Sequence, residues 1–188
     1  MLARMNESHA PVTAWALSHA HPAPDAAVLD IGCGGGATLR RLAELVPQGT
    51  LVGLDYSPLS VAETRYYNRD LVTAGVLQVM ESSVEDIPFA PASFDLITTV
   101  ESFYFWPAPQ DNLREVRRVL RPGGTFLLVA DIYDKPGLPE QALRNIEEYK
   151  LFNPSLLRLA GMLHRAGFRG IVLHTQPGTD WVCAEAHA

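Results

Sequence analysis

Short apolar runs that alternate with longer segments of helical period limit the possible folds more than any other feature of this chain. Five such runs occupy residues 27–32, 50–55, 76–80, 94–100 and 125–130. They are rich in Val, Leu and Ile and do not alternate strictly with polar residues, as expected of strands that are covered on both faces. This order of strands and helices predicts βαβ units and a parallel sheet.

Two further apolar segments near the C-terminus extend the predicted sheet. Residues 169–175 and 180–186 are both predicted to be strands, and the sequence QPG between them suits a hairpin. We therefore expect about seven strands, of which five are parallel and two form a paired edge. A chain of 188 residues has the length of a single domain, in which residues 1–24 are predicted to form a short helical cap on the sheet.

Capping residues mark several helix boundaries. Ser57 and Pro58 have the residue types of an N-cap and a first helical position, and Asn153 and Pro154 are predicted to begin another helix in the same way. Pro122 is expected to end a third helix, before a glycine turn leads into the fifth strand.

The charge and cysteine content argue against several classes of protein. The net charge is −6 and the pI is near 5.4, with no basic run, so we expect no nucleic-acid or anionic-membrane partner. The first 24 residues make a poor signal peptide, which predicts a cytoplasmic protein. Cys33 and Cys183 are far apart, and Asp131 and Asp134 have no further acidic residue at a suitable spacing, so neither a disulfide nor a metal site is predicted.

A glycine-rich loop follows the first strand, in the stretch VLDIGCGGG at residues 28–36. Such a loop presents backbone N–H groups and a helix N-terminus to a ligand. The pattern G-x-G-x-x-A from residue 32, with Asp55 after the next strand, matches a dinucleotide fingerprint but does not distinguish NAD from other adenosyl ligands. Asp30 favours a cationic ligand group, because a carboxylate beside two phosphates costs Coulomb energy.

Four motifs in order give a more specific signal: VLDIGCGGG, GLDYS, ASFDLITTVESFYFW and RVLRPGG. Together they resemble the class I S-adenosylmethionine-dependent methyltransferases, specifically the type 11 methyltransferase-domain group. The resemblance implies an α/β fold with a Rossmann-like, doubly wound, seven-stranded sheet that is mostly parallel and has an antiparallel C-terminal strand. With the chain length, it predicts a single methyltransferase domain over residues 1–188, with a helical cap at 1–24 and a Rossmann-like core at 25–188.

The resemblance assigns one group of residues to the methionine end of S-adenosylmethionine. Asp30, Gly32 and Gly34 would surround the methionine moiety, with Asp30 on its amino side and the loop N–H groups facing its carboxylate. Cys33 belongs to the same cofactor-binding loop, where a small residue fits the tight turn, and it is not expected to be a nucleophile. Val100 and Glu101, at the end of the fourth strand, would border the transferred methyl group.

A second group is assigned to the adenosine end. Asp55 would bind both ribose hydroxyls, Tyr56 would lie against the adenine, and Val84 would offer its backbone N–H to the ring. Ser83 stands where the family usually has an aspartate for the adenine amino group, so the hydrogen bond there would lack charge and cofactor affinity would be reduced. Glu85 is a possible substitute for that carboxylate.

Glu101, Tyr104 and His9 are the candidate catalytic residues, and the sequence does not rank them. A general base is needed only if the acceptor must lose a proton. Each candidate has a structural alternative: Glu101 could bond loop amides, Tyr104 and Trp106 could pack under the next helix, and His9 could pack at the N-terminal helix. The position of Tyr104 and Trp106 at the carboxyl end of a strand, where open α/β sheets bind ligands, favours a pocket role.

The predicted function is methyl transfer from S-adenosylmethionine to a small-molecule acceptor by in-line displacement. Residues 131–153 and the N-terminal helix are expected to roof the acceptor pocket, and the protein is expected to be a monomer or homodimer. Two alternatives stay open, an NAD-dependent oxidoreductase and a non-catalytic S-adenosylmethionine-binding protein. The lack of a Tyr-x-x-x-Lys pair or a substrate-domain extension counts against the first, and Ser83 favours the second.

Overall fold

The computed structural model describes residues 8–188, in which seven strands form one sheet. The strands are β1 (Ala27–Ile31), β2 (Thr50–Asp55), β3 (Leu77–Glu81), β4 (Phe94–Val100), β5 (Leu120–Ala130), β6 (Arg169–Thr175) and β7 (Val182–His187). Their order across the sheet is β3-β2-β1-β4-β5-β7-β6. The first five pair in parallel, and β7 pairs antiparallel with β5 and with β6. The predicted fold class is therefore confirmed.

The helices within residues 8–188 cover both faces of this sheet. They are α1 (Ala10–Leu17), α2 (Ala37–Leu45), α3 (Pro58–Tyr67), α4 (Arg69–Thr73), α5 (Pro109–Val119), α6 (Glu140–Tyr149), α7 (Leu156–Arg165) and a 3₁₀ turn at Phe103–Phe105. The buried residues of α5 and α7 belong to one apolar cluster, and those of α1, α2 and α3 to another. Successive residues of β1 enter opposite clusters, Val28 one and Leu29 the other, so the sheet is doubly wound.

The strand order reverses at β1, which pairs with β2 on one side and with β4 on the other. Asp30 is in register with Gly53 of β2 and with Thr98 of β4. In open α/β sheets, ligands bind in the crevice at the carboxyl ends of the strands beside such a reversal. The glycine loop leaves β1 at this crevice, so the fold places the loop where a ligand is expected.

The boundary between α5 and β5 differs from the prediction. The helix ends at Val119 instead of Pro122, and the strand begins at Leu120 instead of residue 125. Leu120 is held by its pairing with Phe94, and the register shifts before Leu96. This early pairing is a contact between distant parts of the chain, and it overrides the local signal of the proline and glycines.

The start of α7 also differs, whereas the start of α3 is as predicted. The N-cap of α3 is Ser57, whose side chain accepts from the Ser60 N–H, and Pro58 follows it. At α7 the N-cap is Ser155, whose hydroxyl accepts from the Arg158 N–H, so the predicted N-cap Asn153 was wrong. Ser155 has extended backbone and offers an oxygen to the third helical residue, which satisfies an otherwise unpaired N–H.

The N-terminal helix packs on the sheet. Val12, Ala16 and Leu17 of α1 are buried in the same apolar cluster as Val28 of β1. Residues 1–7 of the predicted cap lie outside the described residues. The division of the chain into a cap at 1–24 and a core at 25–188 stays a prediction.

A histidine pair joins the segment after α1 to the edge strand β6. The rings of His19 and His174 are stacked, with centroids 3.8 Å apart and planes at 9°. Nε2 of His174 lies 2.9 Å from Oε2 of Glu185 in β7. Burial lowers the pKa of His19, and the nearby His174 and His21 lower it further, against the opposing charge of Glu185.

This pair should make stability depend on pH. The pKa of His19 is lower in the folded protein than its usual 6.5, so the unfolded chain binds this proton more tightly, and stability present above that pH is lost below it. His19→Phe keeps a ring against His174 and removes the titration. We expect the drop in melting temperature between about pH 7.5 and about pH 5.5 to be smaller in this variant by roughly 2 °C. Equal drops in the two proteins would contradict the prediction.

Candidate active site

The glycine loop is fixed by contacts with the ends of β2 and β4. The Gly32 N–H donates to the Leu54 carbonyl at 2.7 Å. The backbone of Gly32 has φ +72°, and a Cβ there would lie 2.1 Å from Oγ of Ser102. Only glycine satisfies both the left-handed conformation and the close approach of Ser102.

Asp55 is buried at the end of β2 and braces this loop. Its Oδ2 accepts from the Gly34 N–H at 2.9 Å, and its Oδ1 accepts from the Ser57 N–H at 2.9 Å. The carboxylate therefore links the glycine loop to the start of α3 and is not an exposed strand-end acid. Each carboxylate oxygen has a second lone pair, so both can accept a further hydrogen bond from a ligand.

A cavity of about 700 Å³, the large cavity, opens at the carboxyl ends of the strands. Its walls come from the glycine loop, the end of β2, the loop after β3 and the segment after β4. The predicted site residues among its lining are Gly32, Gly34, Asp55, Tyr56, Ser83, Val84 and Glu101. The structure thus brings together residues that lie up to 69 positions apart in the sequence, from Gly32 to Glu101.

A smaller cavity of about 70 Å³, the small cavity, lies beneath the N-terminal segment. It is lined by His9 and Thr13 from that segment, by the glycine loop including Cys33, and by Arg41, Val100 and Glu101. Three residues line both cavities, namely Gly32, Gly34 and Glu101. Glu101 therefore stands where the two cavities adjoin.

Two predicted residues, Asp30 and Cys33, are buried beneath the loop. Asp30 lines neither cavity; it is buried, and its Oδ1 accepts from the Thr98 hydroxyl at 2.6 Å. Burial raises the pKa of Asp30 to about 7 despite this hydrogen bond, and the charge of Asp55 adds to the rise. Cys33 is buried with Sγ 3.7 Å from the Thr64 hydroxyl, and burial raises the pKa of its thiol. A protonated thiol is a poor nucleophile, which suits the packing role expected of Cys33.

The loop after β3 supplies a carboxylate beside Ser83. The Ser83 hydroxyl donates to Oε2 of Glu85 at 3.1 Å and accepts from the Glu85 N–H at 3.2 Å. Both residues line the large cavity together with Val84, and Tyr56 is 75% exposed at its opening. Glu85 thus brings a carboxyl group to the wall where the resemblance predicts an aspartate in place of Ser83.

Glu101 and Tyr104 belong to a cluster that also contains Asp131. The Tyr104 hydroxyl lies 3.0 Å from Oδ1 of Asp131 and 3.4 Å from Oε2 of Glu101, and it accepts from the Ile132 N–H at 3.3 Å. Burial raises the pKa of Glu101 well above its usual value, and the charge of Asp131 raises it further. Burial likewise raises the pKa of Tyr104. The side chain of Tyr104 reaches neither cavity, so it contacts the site through Glu101.

The sequence pattern missed several parts of the site. The sequence suggests Asp131 only as a possible metal ligand, yet it lies against Glu101 because β4 and β5 pair side by side up to Val100 and Val129. Ser102, Phe105 and Pro107 line the large cavity beside the predicted Trp106. Their positions directly after β4, at the carboxyl end of a strand, were the sequence signal that could have placed them in the site. Residues 131–153 contribute no lining to either cavity, so the predicted roof is not formed by that segment.

Within residues 8–188, no group of three or more His, Cys, Asp or Glu side chains is placed to hold a metal ion. None of the helices in this part of the chain has the length and apolar character needed to span a membrane.

The site defines a class of protein. A doubly wound sheet with a glycine loop after β1, a buried acid at the end of β2 and a cavity beside the strand reversal is the arrangement of α/β proteins that bind nucleotide cofactors. The family model described as "Methyltransferase domain" matches residues 29–128, more than half of the chain. The chain belongs to this methyltransferase-domain family, as its motifs predicted.

Two bacterial relatives illustrate the match. The chain is 30% identical over 133 residues to the uncharacterized methyltransferase YodH of Bacillus subtilis, covering 71% of this chain and 55% of that protein. It is 34% identical over 143 residues to the ubiquinone/menaquinone biosynthesis C-methyltransferase UbiE of Ectopseudomonas mendocina, covering 74% of this chain and 53% of that protein. The chain spans only about half the length of these relatives.

A solved structure agrees with the fold. The S-adenosylmethionine-dependent methyltransferase from Aquifex aeolicus superposes with a TM-score of 0.77, covering 98% of this chain and 95% of that chain. Sequence identity in this pair is 18%, so the likeness shows the fold alone.

Proposed function

We propose that the chain binds S-adenosylmethionine across the two cavities and transfers its methyl group to a small-molecule acceptor. The observation that carries the proposal is the pair of adjoining cavities that share Gly32, Gly34 and Glu101. This cofactor has a nucleoside part, an amino-acid part and a sulfonium between them. A large cavity, a small cavity and a carboxyl group where they adjoin match these three parts in order.

The lining groups suit each part of the cofactor. In the large cavity, Asp55 has acceptor capacity for the two ribose hydroxyls, Val84 and Tyr56 would enclose the adenine, and Glu85 with Ser83 would accept from its amino group. A charged acceptor roughly doubles the strength of such a hydrogen bond. The affinity lost through Ser83 is therefore offset by Glu85 in this proposal.

The small cavity would hold the methionine part. Its glycine loop and Arg41 offer donors to a carboxylate, and His9 and Val100 complete the wall. Asp30 lies beneath this loop with a pKa raised to about 7 by burial, so a nearby ammonium group would favour its ionised form. Cofactor binding would then relieve part of the electrostatic cost of burying this carboxyl group.

The chemistry follows from these positions. When bound, the cofactor supplies an activated methyl group on a cationic sulfur. The protein has to hold an acceptor in line with that methyl group and to exclude water, since the donor needs no further activation. Glu101 lines both cavities where they adjoin, which is where the methyl group is predicted to lie, and Ser102, Phe105 and Trp106 line the acceptor side of the large cavity.

A nicotinamide dinucleotide suits the same groups less well. The described lining of the large cavity has three carboxyl groups, from Asp55, Glu85 and Glu101, and no Lys, Arg or His. A diphosphate in this cavity would face negative charge without a cationic partner. The charge of the lining therefore favours a cationic cofactor.

Calorimetric titration with S-adenosylmethionine, S-adenosylhomocysteine and NADH tests the proposal. We expect the two adenosyl-sulfur ligands to bind with dissociation constants on the order of micromolar and NADH to give no signal. Binding of NADH alone would overturn the proposal. Release of S-adenosylhomocysteine in the presence of a panel of small acceptors then separates an enzyme from a non-catalytic binding protein.

A further inference from the structure

One oxygen of the carboxyl group where the cavities adjoin lacks a hydrogen-bond partner. Glu101 Oε1 is enclosed and has no hydrogen-bond partner within residues 8–188, while Oε2 is within reach of the Tyr104 hydroxyl at 3.4 Å. A buried acceptor without a donor costs free energy, so such atoms are rare unless a ligand satisfies them. Glu101 lines both cavities, so a ligand in either one can approach it.

A second carboxyl group, that of Asp131, competes with Glu101 for the same hydrogen-bond donor. Tyr104 has one hydroxyl proton, and both Asp131 and Glu101 are within its reach. In the part of the chain that the structure describes, neither carboxyl group forms an ion pair with Lys or Arg. The basic group near this cluster is His9. Burial lowers its pKa, and the charge of Asp131 opposes that shift. Burial and the negative charge of Asp131 disfavour ionisation of Glu101, so its carboxylate is favoured only beside a bound cation. The cluster therefore has an excess of acceptors and favours a cationic ligand.

The cluster of Glu101, Tyr104 and Asp131 selects among methyl acceptors by their charge. When a neutral amine takes a methyl group from a sulfonium, positive charge moves from sulfur to nitrogen, and a carboxylate beside the nitrogen stabilises it. When a phenolate or carboxylate is methylated, the reacting anion must first sit beside the carboxyl pair, where like charges repel. An acceptor whose nucleophilic form is neutral is therefore favoured over one whose nucleophilic form is an anion.

The rest of the acceptor side agrees with a cationic group. Phe105 is 61% exposed and lines the large cavity, and Trp106 lines it beside Phe105. Aromatic faces attract ammonium groups, and more strongly where water is excluded. No Lys, Arg or His is among the described lining residues of this cavity, so an ammonium group would meet no like charge from the protein.

We propose that the methyl acceptor is a small amine, that Glu101 takes its proton, and that Tyr104 and Asp131 position Glu101. This inference rests on the proposed methyltransferase function. The amine enters as an ammonium ion, whose charge favours the ionised form of Glu101, and it donates to Oε1 of that carboxylate, which takes the proton. The freed lone pair forms the new N–C bond as the C–S bond breaks and its electrons go to sulfur. The products are a methylated ammonium ion and S-adenosylhomocysteine, and Glu101 releases the proton to solvent.

Probe binding tests this inference without relying on turnover. Benzylamine, benzyl alcohol and benzoate have similar size and differ in charge. We expect only benzylamine to bind the protein saturated with S-adenosylhomocysteine, and Glu101→Gln to weaken that binding by about tenfold or more. Glu148→Gln makes the same charge change on an exposed position of α6 and should leave the affinity unchanged. Preferred binding of benzoate or benzyl alcohol, or equal affinity of the two variants, would overturn the inference.

The positioning residues have a readout of their own. Asp131 raises the pKa of Glu101, so Asp131→Asn should allow Glu101 to ionise at lower pH and should shift the pH midpoint of benzylamine binding downward. An unshifted midpoint would remove Asp131 from the mechanism.

Binding of S-adenosylhomocysteine is measured first in every variant. If the wild-type protein does not bind S-adenosylhomocysteine, the proposed function is refuted. Intact binding with an acceptor preference for oxygen anions would refute only the amine inference.

Discussion

Asp55→Ala is expected to weaken S-adenosylmethionine binding by about 100-fold or more. In the proposed binding mode, the ribose hydroxyls would lose two hydrogen bonds to the carboxylate, and charge-assisted hydrogen bonds of this kind are the strong ones. The substitution would also release the Gly34 and Ser57 N–H groups that the carboxylate now accepts from at 2.9 Å each, so the glycine loop would lose its brace. Isothermal calorimetry measures the affinity directly.

A milder variant and a charge control accompany this measurement. Asp55→Asn keeps one acceptor oxygen and turns the other into an NH₂ group that faces an N–H donor, so we expect a loss between that of the alanine variant and the wild type. Asp25→Ala removes an exposed acid and serves as the control for net charge. Unchanged affinity in Asp55→Ala, with an intact circular dichroism spectrum, would refute the ribose assignment.

The strands and the position of the site could be predicted because their signals are local. Apolar runs rich in Val, Leu and Ile predicted β1 to β4 within a residue of their observed limits, and the limits of β2 and β4 agree with the prediction. The Ser57 N-cap rests on a hydrogen bond to Ser60, three residues away. Since parallel strands end at the same edge, the loops after β1, β2, β3 and β4 had to meet there.

The features that sequence reasoning missed depend on contacts between distant residues. Leu120 begins β5 early because it pairs with Phe94. Asp131 reaches the hydroxyl of Tyr104, 27 positions earlier, because the two strands that precede them are neighbours in the sheet. Residues 131–153 include α6, which has no buried residue. Their polar sequence does not indicate where this segment lies relative to the sheet. None of these contacts has a periodic signature in the sequence.

A buried carboxyl group such as Asp30 illustrates how the site and the fold compete. It is held among apolar residues with one donor, Thr98, and its pKa is raised to about 7. Because the folded state binds this proton more tightly than the unfolded chain, the stability that Asp30 contributes is present at low pH and is lost as the pH rises through about 7. At neutral pH the group thus works against folding, as expected of a residue kept for a ligand rather than for stability.

The loop glycine gives the second large effect, and the chain offers a matched control for it. Gly32 has φ +72° and Gly75 has φ +73°, but a Cβ on Gly32 would lie 2.1 Å from Oγ of Ser102, whereas a Cβ on Gly75 has nothing within 4 Å. Gly75→Ala should therefore cost only the left-handed backbone strain, about 1–2 kcal/mol of unfolding free energy. Gly32→Ala should cost about 3 kcal/mol or more and should also weaken cofactor binding, because the loop or Ser102 must move.

The difference between the two glycine variants isolates the steric contact from the backbone strain, since the strain is common to both. Ser102→Gly removes the atoms that the new Cβ would meet, although it also removes the acceptor of the Trp106 indole N–H, 3.3 Å away. In a double-mutant cycle by chemical denaturation, Ser102→Gly should recover most of the excess cost of Gly32→Ala and show a coupling energy above about 1 kcal/mol. Equal costs for Gly32→Ala and Gly75→Ala would mean that Ser102 yields freely, and that the glycine is kept for the approach of the cofactor alone.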